Sequence, residues 1–338
     1  MSVRVGIVGV GVMGSDHARI FAAQVPGAAV QAIYDADPAR AKSVAEEVGA
    51  ATVFGDALAL IRDASVDAVL VASPDQTHKD FTLAAIAAGK PVLCEKPLAP
   101  TPAECLEVTA AETRRGHRLV QIGYMRRFDP SYVEMKSGLG SGRFGAALML
   151  HCIHRNVAAP DWFDSKMAVS NSAVHEFDIA RWLLDAELAG ITVFRPKLAQ
   201  GGSPGAPVYM VLESAKGQLV TIEVFIDASY GYDVRGELVC ERGTIALRAP
   251  LRIETNAELI QGTAYPADWR PRFADAYRLQ AQAWIKAIAR GAAAQDSNAG
   301  ASAWDGYAAA AVAEAGLLAL AEGRRVEIRL ADRPALYR

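Results

Sequence analysis

Between Val3 and about Gly123 the chain alternates short, β-branched apolar runs with Ala-rich segments of helical periodicity. The apolar runs are "VRVGIVG", "AVQAIYD", "VDAVLVAS", "KPVLCEK" and "RLVQIG", and "DPARAKSVAEEVG" is typical of what separates them. Strands that are apolar throughout are covered on both faces, and strands alternating with amphipathic helices form parallel sheets. The pattern predicts an α/β domain over residues 1–123, built on a doubly wound parallel sheet.

After "GYMRRFDP" the pattern changes. The runs "AALMLHCIH", "PVYMVLES", "QLVTIEVFID" and "VRGELVCERGTIAL" are longer, alternate apolar with polar positions, and follow one another through turn signals such as "AKGQ" and "ERGT". Consecutive strands joined by short turns are antiparallel neighbours. Residues 124–338 are therefore predicted to form an α+β domain with a large open, mainly antiparallel sheet, packed on one face by helices that include one at 171–185. The other face needs a cover, and self-association is the simplest one. The last apolar stretch, "SAWDGYAAAAVAEAGLLALAEG", reads as a long helix ended by Gly323 and is a candidate to pack back on the first domain. No internal repeat or low-complexity tract appears.

Composition narrows the class of partner. With 338 residues, 51% hydrophobic and 22% charged, the chain is an ordinary globular protein of two-domain size. A formal net charge of −3, without a long run of Lys or Arg, offers no attraction for nucleic acid or an anionic membrane and leaves a small molecule as the expected partner. Cys94, Cys105, Cys152 and Cys240 have neither CxxC nor His/Cys ligand spacing, so they suggest reduced thiols of a cytoplasmic protein, not a metal site or a disulfide framework. The opening "MSVRVGIVGVGVMG" lacks a cleavage-site pattern and the roughly 20 apolar residues of a membrane span, and reads as a buried strand.

That strand runs into "VGIVGVGVMGSDHA", where Gly9, Gly11 and Gly14 have GxGxxG spacing and open a predicted helix. The first glycine permits the tight turn, the second lets a pyrophosphate approach the backbone, and the third lets helix and strand pack closely, the helix N-terminus stabilising the phosphate charge. The next strand ends in Asp35, about 20 residues on, where a carboxylate reaches the adenosine ribose hydroxyls. A glycine-rich turn followed by a helix-capping aspartate is the plainer alternative. Strand, helix and acid together favour a Rossmann dinucleotide site that prefers NAD to NADP, since Asp35 repels a 2′-phosphate, with Arg40 close enough to soften the preference. Val12 and Met13 in the turn, Ser73, Pro74 and His78 after "VDAVLVAS", and Glu95 and Lys96 complete the expected cofactor contacts.

"VLCEKPLAPT" lies at the carboxyl end of a predicted strand, the edge at which open α/β sheets bind ligands. Pro97 removes an amide donor after Lys96 and biases the lysine away from helical geometry, although a lysine in a surface loop is often only a solvated charge. In the predicted helix at 171–185, Asn171, His175 and Asp178 are spaced by four and three, on one face, with Trp182 a turn further along. Phe177, Ala180 and Leu184 make a neighbouring apolar stripe, so the helix can pack through that side and turn the His175 column toward a cleft; a structural histidine bonded to Asp178 is the alternative.

Taken together, the glycine loop, "CEKPLA", "LVQIGYMRRFDPSYV", "HCIHRN", "MAVSNSAVHEFDIARWLL", "YGYD" and "AWDGY" resemble the Gfo/Idh/MocA oxidoreductases, and within them the bacterial inositol dehydrogenases, over nearly the whole chain. The resemblance implies NAD-dependent oxidation of a ring hydroxyl of a small neutral cyclic polyol, myo-inositol to 2-keto-myo-inositol first among them. It implies that Lys96 hydrogen-bonds the reacting hydroxyl, that His175 exchanges its proton, that Arg126, Asn156, Asp178 and Tyr232 line the substrate pocket, and that Tyr124 and Met125 lie near the nicotinamide. It also implies a homotetramer built through the open sheet. One position departs from the pattern: such enzymes usually carry an aspartate where this chain has Asn171, and an amide cannot offset the charge of a lysine or an imidazolium. A dehydrogenase of another inositol isomer, an aldose or an aminocyclitol, and a non-catalytic NAD-binding sensor, stay open as alternatives.

Overall fold

The computed structural model describes residues 2–160, 162–196, 206–248, 254–257, 259–291 and 300–338. The chain divides into two compact units, Met1–Phe128 with Asp275–Ala310 and Leu330–Arg338, and Asp129–Ala274 with Ala311–Arg329.

In the first unit, strands β1 (Val3–Val8), β2 (Ala28–Tyr34), β3 (Thr52–Val53), β4 (Ala68–Val71), β5 (Val92–Cys94) and β6 (Val120–Ile122) alternate with helices α1 (Val12–Gln24), α2 (Pro38–Val48), α3 (Ala57–Arg62), α4 (Asp75–Ala88) and α5 (Pro102–Arg115). The sheet order is β6-β5-β4-β1-β2-β3, all parallel. Order reverses between β1 and β4, which leaves a crevice at the carboxyl ends of those strands. Helix boundaries follow local chemistry: Thr101 and Glu104 form a capping box on α5, Pro102 opens it, and Gly116 at φ 85° closes it. Val3, Val5, Ile7, Val30, Ile33, Leu70 and Leu93 form one core with Phe21 of α1, whose ring lies 5.9 Å from that of Trp284.

The second unit begins with α6 (Pro130–Gly140) and β7 (Ala147–Arg155), then a single turn, α7 (Ser165–Met167), a π-helical turn (Ala168–Ser172) and α8 (Val174–Leu184). The helix expected over 171–185 is thus a π turn followed by an α-helix from Val174, so Asn171 and His175 do not share the regular α-helical column that their spacing suggested. Strands β8 (Leu188–Phe194), β9 (Val208–Ser214), β10 (Leu219–Phe225), β11 (Asp233–Cys240) and β12 (Gly243–Ala246) follow. The order β12-β11-β7-β10-β9-β8 is antiparallel throughout except for the parallel pair β7–β10.

A hairpin of β13 (Thr255–Ala257) and β14 (Ile260–Gly262) and a helix α9 (Trp269–Arg290), broken at Phe273, come next. Strand β15 (Ala301–Ser302) pairs antiparallel with β6 in the first unit, α10 (Ala303–Glu322) ends at Gly323 in the left-handed region, and β16 (Val326–Glu327) pairs with β8.

Alternation along the strands separates two faces. Leu150, Cys152, Met210, Leu212, Ile222 and Val224 are buried, as are Phe177, Ala180 and Leu184 of α8, which packs against β7. Gly316 on α10 permits close approach, since a Cβ there would lie 2.8 Å from Val169 and 3.2 Å from Ile191. The opposite face carries cross-strand rows such as Phe194–Tyr209–Glu223–Ile153–Arg235.

Asp129 caps α6 by accepting from the amides of Ser131 and Tyr132 and also pairs with Arg272 at 2.7 Å, both side chains buried. Arg272→Ala leaves that carboxylate buried and unpaired and is expected to cost about 3–5 kcal/mol. The midpoint of denaturant unfolding measures it, and a loss below about 1 kcal/mol, the range of exposed pairs, would contradict the assignment.

Candidate active site

The glycine turn is shaped by the protein at two of its three glycines. Gly9 has φ +88°, and a Cβ there would sit 2.6 Å from the backbone of Ser73; a Cβ on Gly14 would collide with the carbonyl oxygen of Gly9. At Gly11 a Cβ would meet nothing within 4 Å. Gly11 is also the N-cap of α1 and gives that helix no side-chain cap, while Val12 beside it is exposed and Met13 half-buried. Uncapped amides at a helix N-terminus, with a bare glycine in front of them, suit a pyrophosphate.

Asp35, buried at the end of β2, accepts hydrogen bonds from the Val10 amide at 2.7 Å, the Asp37 amide at 2.8 Å and Arg40 Nη2 at 2.6 Å. Burial by itself would raise the carboxyl's pKa; Arg40 and the two amides more than reverse that and hold it below the usual carboxylate range. The Gly9, Gly11, Asp35, Arg40, Ser73 and Pro74 positions singled out by the sequence line one crevice of about 370 Å³. Tyr34, Thr77 and Phe81 line it too and were not anticipated. Thr77 and Phe81 sit four apart on α4, a helical spacing that puts both on one face.

The ends of β4 and β5 carry the other first-unit candidates. Ser73 Oγ lies 2.6 Å from Thr77 Oγ1, and Pro74 is the N-cap of α4. His78, expected at the cofactor, is fully buried, its Nδ1 2.6 Å from the Pro97 carbonyl and its Nε2 2.8 Å from the Ser73 carbonyl. Glu95 is buried against His17 Nε2 at 2.7 Å and accepts from the Lys96 amide at 3.1 Å. Burial would raise Glu95, but His17 and the charge of Lys96 hold it below the ordinary carboxylate range. His17 was missed in the sequence, although its place beside Gly14, Ala18 and Phe21 on the buried face of α1 is a signal: a histidine on an apolar stripe needs a partner. The Lys96–Pro97 peptide is cis. Tyr124, Met125 and Arg126 are buried where β6 passes into a 3₁₀ turn, and Arg127 pairs with Asp305 at 3.1 Å.

The second unit holds Asn156, Asn171, His175, Asp178 and Tyr232. Asn156 follows β7, its amide bonded to the Phe225 carbonyl at 2.9 Å, and its side-chain oxygen is buried without a protein partner among the described residues. Asn171 lies in the π turn, His175 is half-buried on the first turn of α8, and Asp178 is fully buried. Tyr232 stands edge-on to His154 with ring centroids 5.9 Å apart, and His154 Nδ1 is 3.2 Å from Glu176. The pair His154 and Glu176 also escaped sequence reading, because a strand and a helix 22 residues apart bring them together.

Two family models match the chain: an oxidoreductase family model with an NAD-binding Rossmann fold at residues 3–124, and the GFO/IDH/MocA C-terminal domain at residues 132–246. Inositol 2-dehydrogenase 1 of Saccharopolyspora erythraea is 53% identical over 340 residues, covering 100% of this chain and 99% of its own. An inositol 2-dehydrogenase of Paracoccus denitrificans is 42% identical with both chains covered in full. The crystal structure of myo-inositol dehydrogenase from Lactobacillus casei, in complex with NAD(H) and myo-inositol, superposes with a TM-score of 0.93 at 31% identity, covering 100% of each chain.

The three glycines respond differently to a methyl group. Gly11→Ala is expected to keep the melting temperature near wild type, since a Cβ there meets no protein atom within 4 Å, while lowering NAD affinity by at least about tenfold if a pyrophosphate comes to that carbon. Gly14→Ala, which must displace the Gly9 carbonyl, is expected to lower stability by about 1–3 kcal/mol. Calorimetric NAD titration and thermal melts separate the two effects, and a Gly11→Ala protein that binds NAD normally would contradict the pyrophosphate placement.

Proposed function

From the premise that this chain belongs to the Gfo/Idh/MocA oxidoreductase family, we propose that it oxidises the 2-hydroxyl of myo-inositol to the ketone, 2-keto-myo-inositol, with NAD as cofactor. One observation carries the reading: Lys96 leaves β5 at the same edge of the parallel sheet where the glycine turn, Asp35 and Ser73 build the dinucleotide crevice.

Bound NAD supplies the hydride acceptor. Asp35 receives the adenosine ribose diol, and the open carbon of Gly11 with the uncapped amides of α1 receives the pyrophosphate. At the reacting carbon, the C–H bond breaks with its electron pair as the O–H proton leaves, so the oxygen passes through alkoxide character. The Lys96 ammonium donates a hydrogen bond to that oxygen and stabilises the developing charge. His175 accepts the proton, as a near-neutral base suits. Arg126, Asn156, Asp178 and Tyr232 hold the other ring hydroxyls; the buried Asn156 oxygen is an acceptor with its capacity still to fill. Asn171 orients its neighbours by hydrogen bonding but adds no negative charge, which leaves Asp178 as the carboxylate of the set.

The assembly is a homotetramer joined through the open sheet face. Support comes from the half-exposed aromatic residues Phe194 and Tyr209, paired across β8 and β9 on that face. The compartment is the cytoplasm: all four cysteines are free and buried, and no described helix is long and apolar enough to cross a membrane.

NADH formation with myo-inositol is the expected assay result; an enzyme that binds NAD yet reduces none of it with myo-inositol would overturn the substrate assignment. Lys96→Ala is expected to lower kcat by roughly two to four orders of magnitude with NAD affinity largely kept. Asn171→Asp, which restores a charge to the proton-handling set, is expected to raise kcat. For the assembly, light scattering should give four chains, and Tyr209→Glu with Phe194→Glu should release smaller species.

A further inference from the structure

A neutral imidazole donates from one ring nitrogen and accepts at the other. Both nitrogens of His78 face backbone carbonyls. Its Nδ1 lies 2.6 Å from the Pro97 carbonyl oxygen and its Nε2 2.8 Å from the Ser73 carbonyl oxygen, and both partners can only accept. Either neutral tautomer would aim a nitrogen lone pair at a carbonyl oxygen inside hydrogen-bond distance, in a ring with no exposure to water. Only the doubly protonated ring donates to both carbonyls; Cys94, which also hydrogen-bonds the ring, is the neighbour able to donate to a neutral one.

We propose that His78 is a buried imidazolium that positions Lys96, by bonding the carbonyl next to that lysine to the turn that carries Ser73. Strand pairing between β4 and β5 ends at the Glu95 amide, which donates to the Val71 carbonyl at 2.8 Å, and beyond it His78 supplies a two-ended link between the chains. One end is the Ser73 wall of the cofactor crevice and the other is the residue after Lys96, so the ring sets where the ammonium stands relative to the dinucleotide. The titratable groups acting on His78 are Cys94 of β5 and Asp75 of its own helix. Burial alone would push its pKa down; Cys94, the Pro97 carbonyl and Asp75 outweigh that and hold it at about 10. His78 is a positioning residue and touches no reacting atom. The positioning claim rests on the reading of Lys96 as the partner of the alcohol oxygen; the charge state does not.

Neutron diffraction from deuterium-exchanged crystals of the whole enzyme at about pH 8, above the range of an ordinary histidine, tests the charge directly. Deuterium on both ring nitrogens is expected, and a single ring deuteron would overturn the proposal without need of any variant. Kinetics test the positioning. His78→Gln is expected to lower kcat by up to about a hundredfold while the NAD dissociation constant stays within about threefold of wild type. In a Lys96→Ala background the same change should cost little more, because a lysine that is gone cannot be misplaced. Full additivity of the two losses would show that His78 acts on the fold instead and would overturn the positioning claim. Unchanged turnover in Lys96→Ala alone would overturn both that claim and the role of Lys96, while the neutron result stands by itself.

A pH series gives a third readout. Because the folded-state pKa lies above the unfolded value of 6.5, the stability this proton contributes is fully present below 6.5 and is lost as pH rises through about 10. Wild type minus His78→Gln should show that decline in unfolding free energy, and a flat difference would count against a fixed imidazolium.

Discussion

A carboxylate removed from water must be answered by charge and by donors, and Glu95 is the one around which the first unit's ligand-facing edge is organised. Its two oxygens meet His17 Nε2 at 2.7 Å and the Lys96 amide at 3.1 Å. Gly123 leaves the space: a Cβ there would stand 2.8 Å from a Glu95 oxygen. One buried charge thereby ties the helix of the glycine turn to the end of β5, and the bare Gly123 after β6 leaves room for it. The loop bearing Lys96 inherits its position from that arrangement.

Why so much chemistry gathers at one edge follows from the parallel sheet. Every strand of β1 to β6 ends on the same side, and the helices that follow them begin there, so loop residues and amide-rich helix ends accumulate together. The buried charges at this edge are held ionised by local partners: Asp35 by Arg40 and two amides, Glu95 by His17 and Lys96, and His78 by Cys94, the Pro97 carbonyl and Asp75. Each charge joins segments that the strand ladder leaves apart, so electrostatic compensation and loop placement are a single device.

The second unit divides its labour by the period of two in its strands. One set of side chains is buried beneath α8 and α10, and the other forms rows that reach across five strands on the opposite face. Polar groups concentrate where helix meets sheet, with Glu176 and Asp178 fully buried on α8 and His154 beside Glu176. A helix with two buried carboxylates is held by what faces them, which is a reason for the order of this region to depend on its polar partners as well as on its apolar stripe.

Much of this was legible in the chain itself. Continuous apolar runs between amphipathic segments are enough to predict the parallel sheet, alternation is enough for the antiparallel one, and Gly9, Gly14 and Asp35 stand where their spacing placed them, because these signals are local and set by backbone sterics and burial. The π turn at Ala168–Ser172 was not legible, since i, i+4 spacing assumes an unbroken α-helix and nothing in "MAVSNSAVHE" announces an extra residue in the turn. Nor were the pairings His17 with Glu95, His154 with Glu176 and His78 with two carbonyls. Those partners lie between 5 and 78 residues apart, and which atoms meet, and hence which groups carry charge, is decided only when the tertiary structure removes water and leaves each polar group the neighbours it has.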